Sequence, residues 1–288
     1  MTGEKIDSEF GPYREIYLQK LKELRLIDDD FMAVVFEDIP CTELLLRVIL
    51  ERDDLIVKEV HPQYELKNLE GRSVRLDIFA IDKENKAYNI EVQRKDSGAD
   101  PKRARYNSSL IDAHISEPGE NYNAIADTYV IFITENDVLK YGLPIYHIER
   151  TIKENGKDFS DGSHIVYVNS KIRDESALGR LMHDFFCTNP KDMYYQALSE
   201  RTKYFKESEK GVTDMCQIWQ DIKNDGYKEG LVKGEKNGEK KKAKETAAAL
   251  FQKGWSSDQI VEIVGYDSAT VEKWIRDYES SFSAENEE

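Results

Sequence analysis

The stretch from Val74 to Gln93 constrains this chain more than any other. Val74-Arg75-Leu76-Asp77-Ile78-Phe79-Ala80-Ile81 and Ala87-Tyr88-Asn89-Ile90-Glu91-Val92 are rich in β-branched and aromatic residues, the composition of strands. The polar run Asp82 to Lys86 between them reads as a turn, in which Asn85 can take a positive φ. A three-residue loop, Lys83 to Asn85, pairs Asp82 with Lys86 and brings Asp77 opposite Glu91. That register gathers Leu76, Ile78, Ala80, Tyr88, Ile90 and Val92 on one face. The other face carries Arg75, Asp77, Glu91 and Gln93, with Phe79 and Asn89 beyond them. A two-residue turn would shift the pairing by one and scatter the apolar set, so burial selects the longer loop.

Like charges facing each other across a sheet are destabilising, and two close carboxylates resist joint ionisation without a counter-charge. Arg75, opposite Gln93 in this register, is one source of that charge. The other is a divalent cation. Asp77, Glu91 and a backbone carbonyl suit Mg²⁺, a hard ion that takes oxygen ligands and keeps several waters. One such water can attack a phosphate in line.

Arg-Leu-Asp-Ile-Phe-Ala, a short polar turn and Asn-Ile-Glu-Val-Gln together resemble the PD-(D/E)XK nuclease superfamily. More narrowly they resemble its recombination-promoting nuclease and transposase group (Rpn-like), which places Gln in the final lysine slot. Asp28-Asp29-Asp30-Phe31-Met32-Ala33-Val34-Val35-Phe36 upstream and Lys102-Arg103-Ala104-Arg105-Tyr106 downstream resemble that group too, as does the Gly-spaced charged tail. Leu76 stands where the motif has proline, and Gln93 where it has lysine. The resemblance implies a metal-dependent DNA endonuclease, linked to recombination or a mobile element, with a restriction-endonuclease-like α/β core. Asp77 and Glu91 would be metal ligands and the Val92 carbonyl a third. Mg²⁺ would be the ion, with Mn²⁺ able to substitute. Gln93 would orient the attacking water or a phosphate oxygen, because a neutral amide cannot act as a general base. Lys95 could supply a positive charge if the strand continues that far. Glu43, in the apolar helix Thr42 to Leu50, is a candidate accessory acid; the plainer reading is an acid complementing a helix dipole.

The net charge of −15 argues against indiscriminate DNA binding, which relies on clustered Lys and Arg. A local patch follows the hairpin, however: Arg94, Lys95, Lys102, Arg103 and Arg105 against Asp96 and Asp100. Pro101 suits a first helical turn, so Lys102 to Ile115 reads as a helix, with Arg103, Asn107, Leu110 and His114 along one stripe. Lys95, Arg103 and Tyr106 are the candidate phosphate contacts, and DNA the expected partner. His114 has no second histidine at ligand spacing. Cys41, Cys187 and Cys216 form no metal-spacing motif or disulfide framework and read as reduced, partly buried hydrophobes. No apolar run approaches membrane length, and Met-Thr-Gly-Glu-Lys lacks an apolar signal region, so the expected location is cytoplasmic, without membrane contact.

The order of elements is α/β: helices at Pro12 to Leu26, Asp30 to Phe36 and Thr42 to Arg52, then strands at Leu55 to Val60 and in the hairpin. The basic helix follows, then a buried strand at Asp127 to Thr134. Peripheral strands at Tyr146 to Ile152 and His164 to Asn169 precede a helix, Glu175 to Cys187. A mixed sheet flanked by helices fits, whereas no Gly-rich phosphate loop supports a nucleotide-binding fold. The reading divides the chain into a nuclease-like domain (1–190), a charged helical linker (191–244), a small helical module (245–280) and a disordered tail (281–288). Gly226, Gly230, Gly234 and Gly238 recur every four residues, which suggests a frayed, hinge-like helix because each Gly costs about 1 kcal/mol relative to Ala. Glu245 to Lys253, Ser257 to Gly265 and Ser268 to Tyr278 form a helix-turn-helix-like unit with Trp255 and Trp274 as core anchors. It carries few basic residues, so packing or homo-oligomerisation is as good a reading as DNA contact. The alternative for the whole chain is a non-catalytic DNA-binding or assembly protein on a degenerate nuclease scaffold.

Overall fold

The computed structural model describes residues 14–285 except 69, 70, 72, 117 and 120. The expected helix start at Pro12 and residues 286–288 of the expected tail therefore lie outside the described residues. The chain divides into two compact units, Met1–Met215 and Cys216–Glu288.

The first unit opens with α1 (Arg14–Glu23), α2 (Asp29–Phe36) and α3 (Ile39–Leu50). Asp29 and Asp30 occupy the first turn of α2, where negative charge complements the exposed N–H groups. Phe31 to Phe36 are all buried, so α2 is an interior helix rather than an amphipathic one. In α3 the Asp38 side chain accepts from Cys41 N–H at 3.3 Å, and Pro40 sits in the first turn.

A sheet follows: β1 (Val57–Leu66), β2 (Val74–Asp82), β3 (Ala87–Gln93), β4 (Thr128–Thr134), β5 (Ile145–Ile148) and β6 (Ser163–Asn169), in the spatial order β1-β2-β3-β4-β6-β5. The first three strands are antiparallel, β3, β4 and β6 run parallel, and β5 closes the edge antiparallel to β6. The hairpin adopts the expected register, with Ile81↔Ala87, Ala80↔Tyr88, Phe79↔Asn89 and Ile78↔Ile90. Its turn is held by Asp82 N–H to the Lys86 carbonyl (3.1 Å) and Asn85 N–H to the Asp82 carbonyl (3.0 Å), with Asn85 at φ 63°. The buried Asp82 carboxylate also accepts from Glu84 N–H, Lys86 N–H and Tyr88 O–H at 2.9, 2.9 and 2.7 Å.

A parallel step from β3 to β4 needs a crossover, and α4 (Pro101–Ile115) provides it. Its Ala104, Leu110 and Ile111 pack on Phe79, Ala87, Val130, Phe132 and Tyr167. Ile78, Ala80, Ile90 and Val92 alternate to the opposite face, also buried, on the side of α2 and α3. The sheet is thus covered on both faces. Every residue from Ala87 to Val92 is buried, including Asn89 and Glu91.

Expectations about two of the strands need correction. The His164 to Asn169 strand is not peripheral: β6 lies between β4 and β5, and Val166 to Asn169 are buried. The first strand is longer than Leu55 to Val60, because its polar outer residues continue the pairing with β2 as far as Leu66↔Val74. The helices α5 (Ala177–Phe186) and α6 (Gln196–Glu207) complete the layer that contains α3.

α7 (Glu209–Gln252) runs unbroken through Gly226, Gly230, Gly234 and Gly238, where a frayed hinge is the expectation from sequence. Beyond it, α8 (Ser257–Val264) and α9 (Ser268–Glu285) fold back on its last turns. Ser256 and Gln259 form a reciprocal capping box, and Gly265 ends α8 in the left-handed region (φ 71°). Ala247, Ile260, Val271, Trp274 and Ile275 are the core of this unit. Trp274 anchors it as expected, at 6% exposure, but Trp255 does not: it is 41% exposed. α9 continues to Glu285, into the segment read from sequence as tail.

Candidate metal centre

The two strands of the hairpin part at the end where the carboxylates lie. β2 and β3 pair as far as Ile78↔Ile90, after which β2 continues with β1 alone and β3 with β4 alone. Across the fork, Asp77 Oδ2 accepts from Val92 N–H at 3.1 Å. N–H and C=O of one strand residue point the same way. The Val92 carbonyl therefore points towards β2 and Asp77, while the Gln93 carbonyl faces β4 and accepts from Glu135 N–H at 3.0 Å.

Burial dominates the electrostatics. Desolvation pushes the Asp77 carboxyl up to about 6, with the charge of Asp29 adding to the rise and the Val92 N–H opposing it. Glu91 is 0% exposed. Its carboxyl is pushed up to about 8 by burial first and by the neighbouring Asp77 second, with Arg103 opposing. The Asp77 charge thus reaches Glu91 across the fork, although the ladder ends one pair short of the expected Asp77–Glu91 pairing. Asp29, in the first turn of α2, is a third acid of this site that the sequence reading did not assign. Its own carboxyl is raised by burial and by Asp30 and Asp28. The signal was present in the run Asp28-Asp29-Asp30, but only the fold brings that helix start to β2.

The counter-charge at Glu91 is Arg103 from α4, not Arg75. The Arg103 guanidinium pairs with Glu91 Oε2, donates to the Gly98 carbonyl at 2.8 Å and lies over the Phe132 ring. Arg75 lowers the Asp77 carboxyl, behind Arg103. Asn107, one turn further along α4, donates to Glu91 Oε1 at 3.4 Å, and its own Oδ1 has no hydrogen-bond partner among the described residues. Asn89, on the same face of β3, lies close enough to favour ionised Glu91 but outside hydrogen-bonding geometry. Two buried amides thus face the Glu91 carboxylate with unused hydrogen-bonding capacity.

Gln93 ends β3, half-buried, against the tight turn Asp96–Gly98. A Cβ on Gly98 would come 1.7 Å from Gln93 Oε1, so a side chain there would displace this flexible amide. The same residue thus holds Arg103 through its carbonyl and accommodates Gln93 over its Cα. Tyr167 O–H fixes the end of the turn by donating to the Ala99 carbonyl at 3.0 Å. Asp100 caps α4 by accepting from Lys102 N–H at 2.7 Å.

The remaining expected site residues divide. Lys95 is exposed and outside the strand, which ends at Gln93. Tyr106 is half-buried and its hydroxyl accepts from Asn68 Nδ2 at 3.1 Å, which ties α4 to the chain after β1. Arg94 is engaged by Asp28 (2.9 Å) and Glu135 (3.3 Å), so its charge is neutralised locally. Glu43 is not brought to the carboxylates. It pairs with Arg47 at 2.8 Å and accepts from Val57 N–H at 3.0 Å. Val57 is opposite Asp82, five residues along β2 from Asp77, or about 17 Å at strand rise.

A mixed sheet flanked by helices, forked where two strands present acids, defines a restriction-endonuclease-like fold. Residues 43–176 match a protein-family model described as PD-(D/E)XK nuclease family transposase. Over this segment, which carries Asp77, Glu91 and Arg103, the resemblance read in the sequence holds. It points to a nuclease- or transposase-related role, and nucleases of this superfamily generally use divalent metal ions. No curated protein and no solved structure matches the chain. Among the described residues, no helix is long and apolar enough to cross a membrane.

Proposed function

We propose that the protein is a metal-dependent DNA endonuclease whose centre is the Asp77–Glu91 pair. The observation that carries this reading is the convergence of two carboxylates with raised pKa values at the β2–β3 fork. Perturbed acids clustered around a charge partner are what catalytic sites require. The donor set fits a hard cation, since Asp77, Glu91 and the Val92 carbonyl offer only oxygen. Bound there, Mg²⁺ or Mn²⁺ would polarise the phosphate and lower the pKa of a water.

The chain's own residues would do the rest. Asp77 and Glu91 hold the ion, with Asp29 adding negative charge on the α2 side. Gln93 orients the water or a phosphate oxygen from its place over Gly98. Arg103 exchanges its contact with Glu91 for a substrate phosphate, and Lys95 and Tyr106 extend the phosphate track along the start of α4. A link to recombination or a mobile element, a cytoplasmic location and self-association through the helices of the second unit complete the proposal. Tyr227 and Leu231, 69% and 49% exposed beside Gly226, Gly230 and Gly234, suit the approach of a second helix.

A second reading rests on Arg103. A built-in cation already paired with Glu91, together with Gln93 at the motif's lysine position, is what a non-catalytic scaffold would keep. Incubation with supercoiled plasmid and Mg²⁺ or Mn²⁺ separates the two. Nicking that Glu91→Gln abolishes supports the nuclease; DNA binding without nicking supports the scaffold.

A further inference from the structure

Well away in sequence from Asp77 and Glu91, a mixed set of metal donors gathers at the end of α5. His183, Asp184 and Cys187 each offer one ligand atom, and these atoms lie within 4.8 Å of one another. His183 and Cys187 are four residues apart, so one helical turn aligns them on one face. Cys187 Sγ is 3.4 Å from His183 Nδ1, and Asp184 Oδ1 is 3.3 Å from the same nitrogen. Tetrahedral zinc with bonds of about 2.3 Å to sulfur and about 2.0 Å to nitrogen and oxygen has ligand–ligand edges of roughly 3.3–3.6 Å. The two spacings about His183 Nδ1 match such edges.

Convergence also distinguishes this cluster from a nucleophile relay. In a Cys-His-Asp relay the thiol and the acid engage different ring nitrogens. Here both approach Nδ1, and Nε2 lies farther from the sulfur, at 4.0 Å.

The surroundings resemble a prepared site. Asp184 is 0% exposed, and its two oxygens accept from Tyr194 N–H (2.8 Å) and Tyr195 N–H (2.9 Å), which fixes the carboxylate as outer partners fix metal ligands. The Tyr194 ring meets the His183 ring edge-on at 4.9 Å. The Asp192 carbonyl accepts from the Cys187 thiol at 3.7 Å. His183 is 39% exposed at its side chain, which gives an ion a path in. Burial, Asp184 and Asp192 hold the thiol up at about 11, partly offset by Arg173 and Lys206.

We propose that His183, Asp184 and Cys187 bind a thiophilic divalent cation, best matched by Zn²⁺ with water in the fourth position, at the C-terminal end of α5. This proposal is independent of the nuclease reading. On binding, the Cys187 proton leaves to solvent and the thiolate becomes the sulfur ligand.

The test uses the full chain, stripped with chelator and titrated with Co²⁺ in excess Mg²⁺. The expected result is a thiolate-to-cobalt charge-transfer band that saturates near one equivalent and is displaced by Zn²⁺. Cys187→Ser should abolish it, while Asp77→Asn, Cys41→Ser and Cys216→Ser should leave it intact. If Cys187→Ser does not fold, loss of the band in His183→Ala, with the two other cysteine variants unaffected, gives the same assignment. A wild-type chain without the band, or a band that survives loss of Cys187 or His183, overturns the proposal.

Discussion

Replacing Asp77 by Asn should make the metal-free protein more stable, and the effect should depend on pH. The Asp77 carboxyl is displaced from an ordinary 3.8 to about 6. At about 1.4 kcal/mol per pH unit, keeping it ionised in the fold costs roughly 3 kcal/mol. Asparagine removes that charge yet keeps an oxygen for the Val92 N–H. It also relieves Glu91, whose carboxyl Asp77 helps to push up to about 8. Both pKa values are raised by folding, so the native state binds more protons than the unfolded chain. Stability is therefore fully present below about pH 4 and is lost as pH rises through 6 and then 8. Allowing for a weaker bond to the amide, Asp77→Asn should gain about 2 kcal/mol near pH 8. For a unit of this size that is an increase of about 4–8 °C in Tm. Thermal melts followed by circular dichroism in chelator from pH 4 to 9 measure it directly. The gap should close near pH 4, and Mg²⁺ should raise the Tm of the wild type near pH 8 but not that of the variant. A variant that melts below wild type near pH 8, or a gap independent of pH, would refute the electrostatic reasoning.

Other consequences are open to the same kind of check. Arg103 holds the Glu91 carboxyl down, so Arg103→Gln should move the acid limb of the cleavage rate to higher pH and weaken DNA binding; an unmoved limb would separate Arg103 from Glu91. Asp29→Asn should shift the limb the other way, because the Asp29 charge raises Asp77, and the pH–rate profile reads this shift. Gly98→Ala should slow cleavage severalfold with little loss of Tm, because the new methyl group displaces the flexible Gln93 amide, and an unchanged rate would remove Gln93 from the mechanism. Trp274→Ala empties the largest core position of the second unit and should cost about 3–5 kcal/mol; helicity lost in an early melting transition would register it, and a single unchanged transition would contradict the assignment.

Much of the site was legible because the hairpin leaves few choices. Alternation, a turn with one residue tolerant of positive φ, and the cost of exposing Ile78 or Ile90 together select one register, and that register brings the two acids to the same end of the hairpin. What remained hidden depends on long-range packing. Alternation gathers Asp77, Asn89 and Glu91 on one face of the hairpin but does not say what covers it: α4 does, and Asn89 and Glu91 are buried. That burial raises the Glu91 pKa and selects Arg103, twelve residues downstream, over Arg75 as its partner. Asp29 was visible as one acid in a helix start, but nothing local says that this helix end reaches β2. Glu43 shows the converse error: its acidity was legible, but its commitments to Arg47 and the Val57 N–H depend on where β1 begins. Trp255 looked like a core anchor because tryptophan usually is one, yet Gly254 (φ 83°) turns the chain just before it and Ile260 takes the interior place.

The central claim is that Asp77 and Glu91 hold a divalent cation. Fe²⁺ substituted into the chain, with ascorbate and peroxide, cleaves the backbone next to wherever the ion sits, and mass spectrometry of the fragments maps the position. The expected breaks lie near Asp77 and between Ile90 and Gln93, suppressed by Mg²⁺ and absent in Glu91→Gln. Fragments that map elsewhere, or no Mg²⁺-protected breaks in the hairpin, would contradict it.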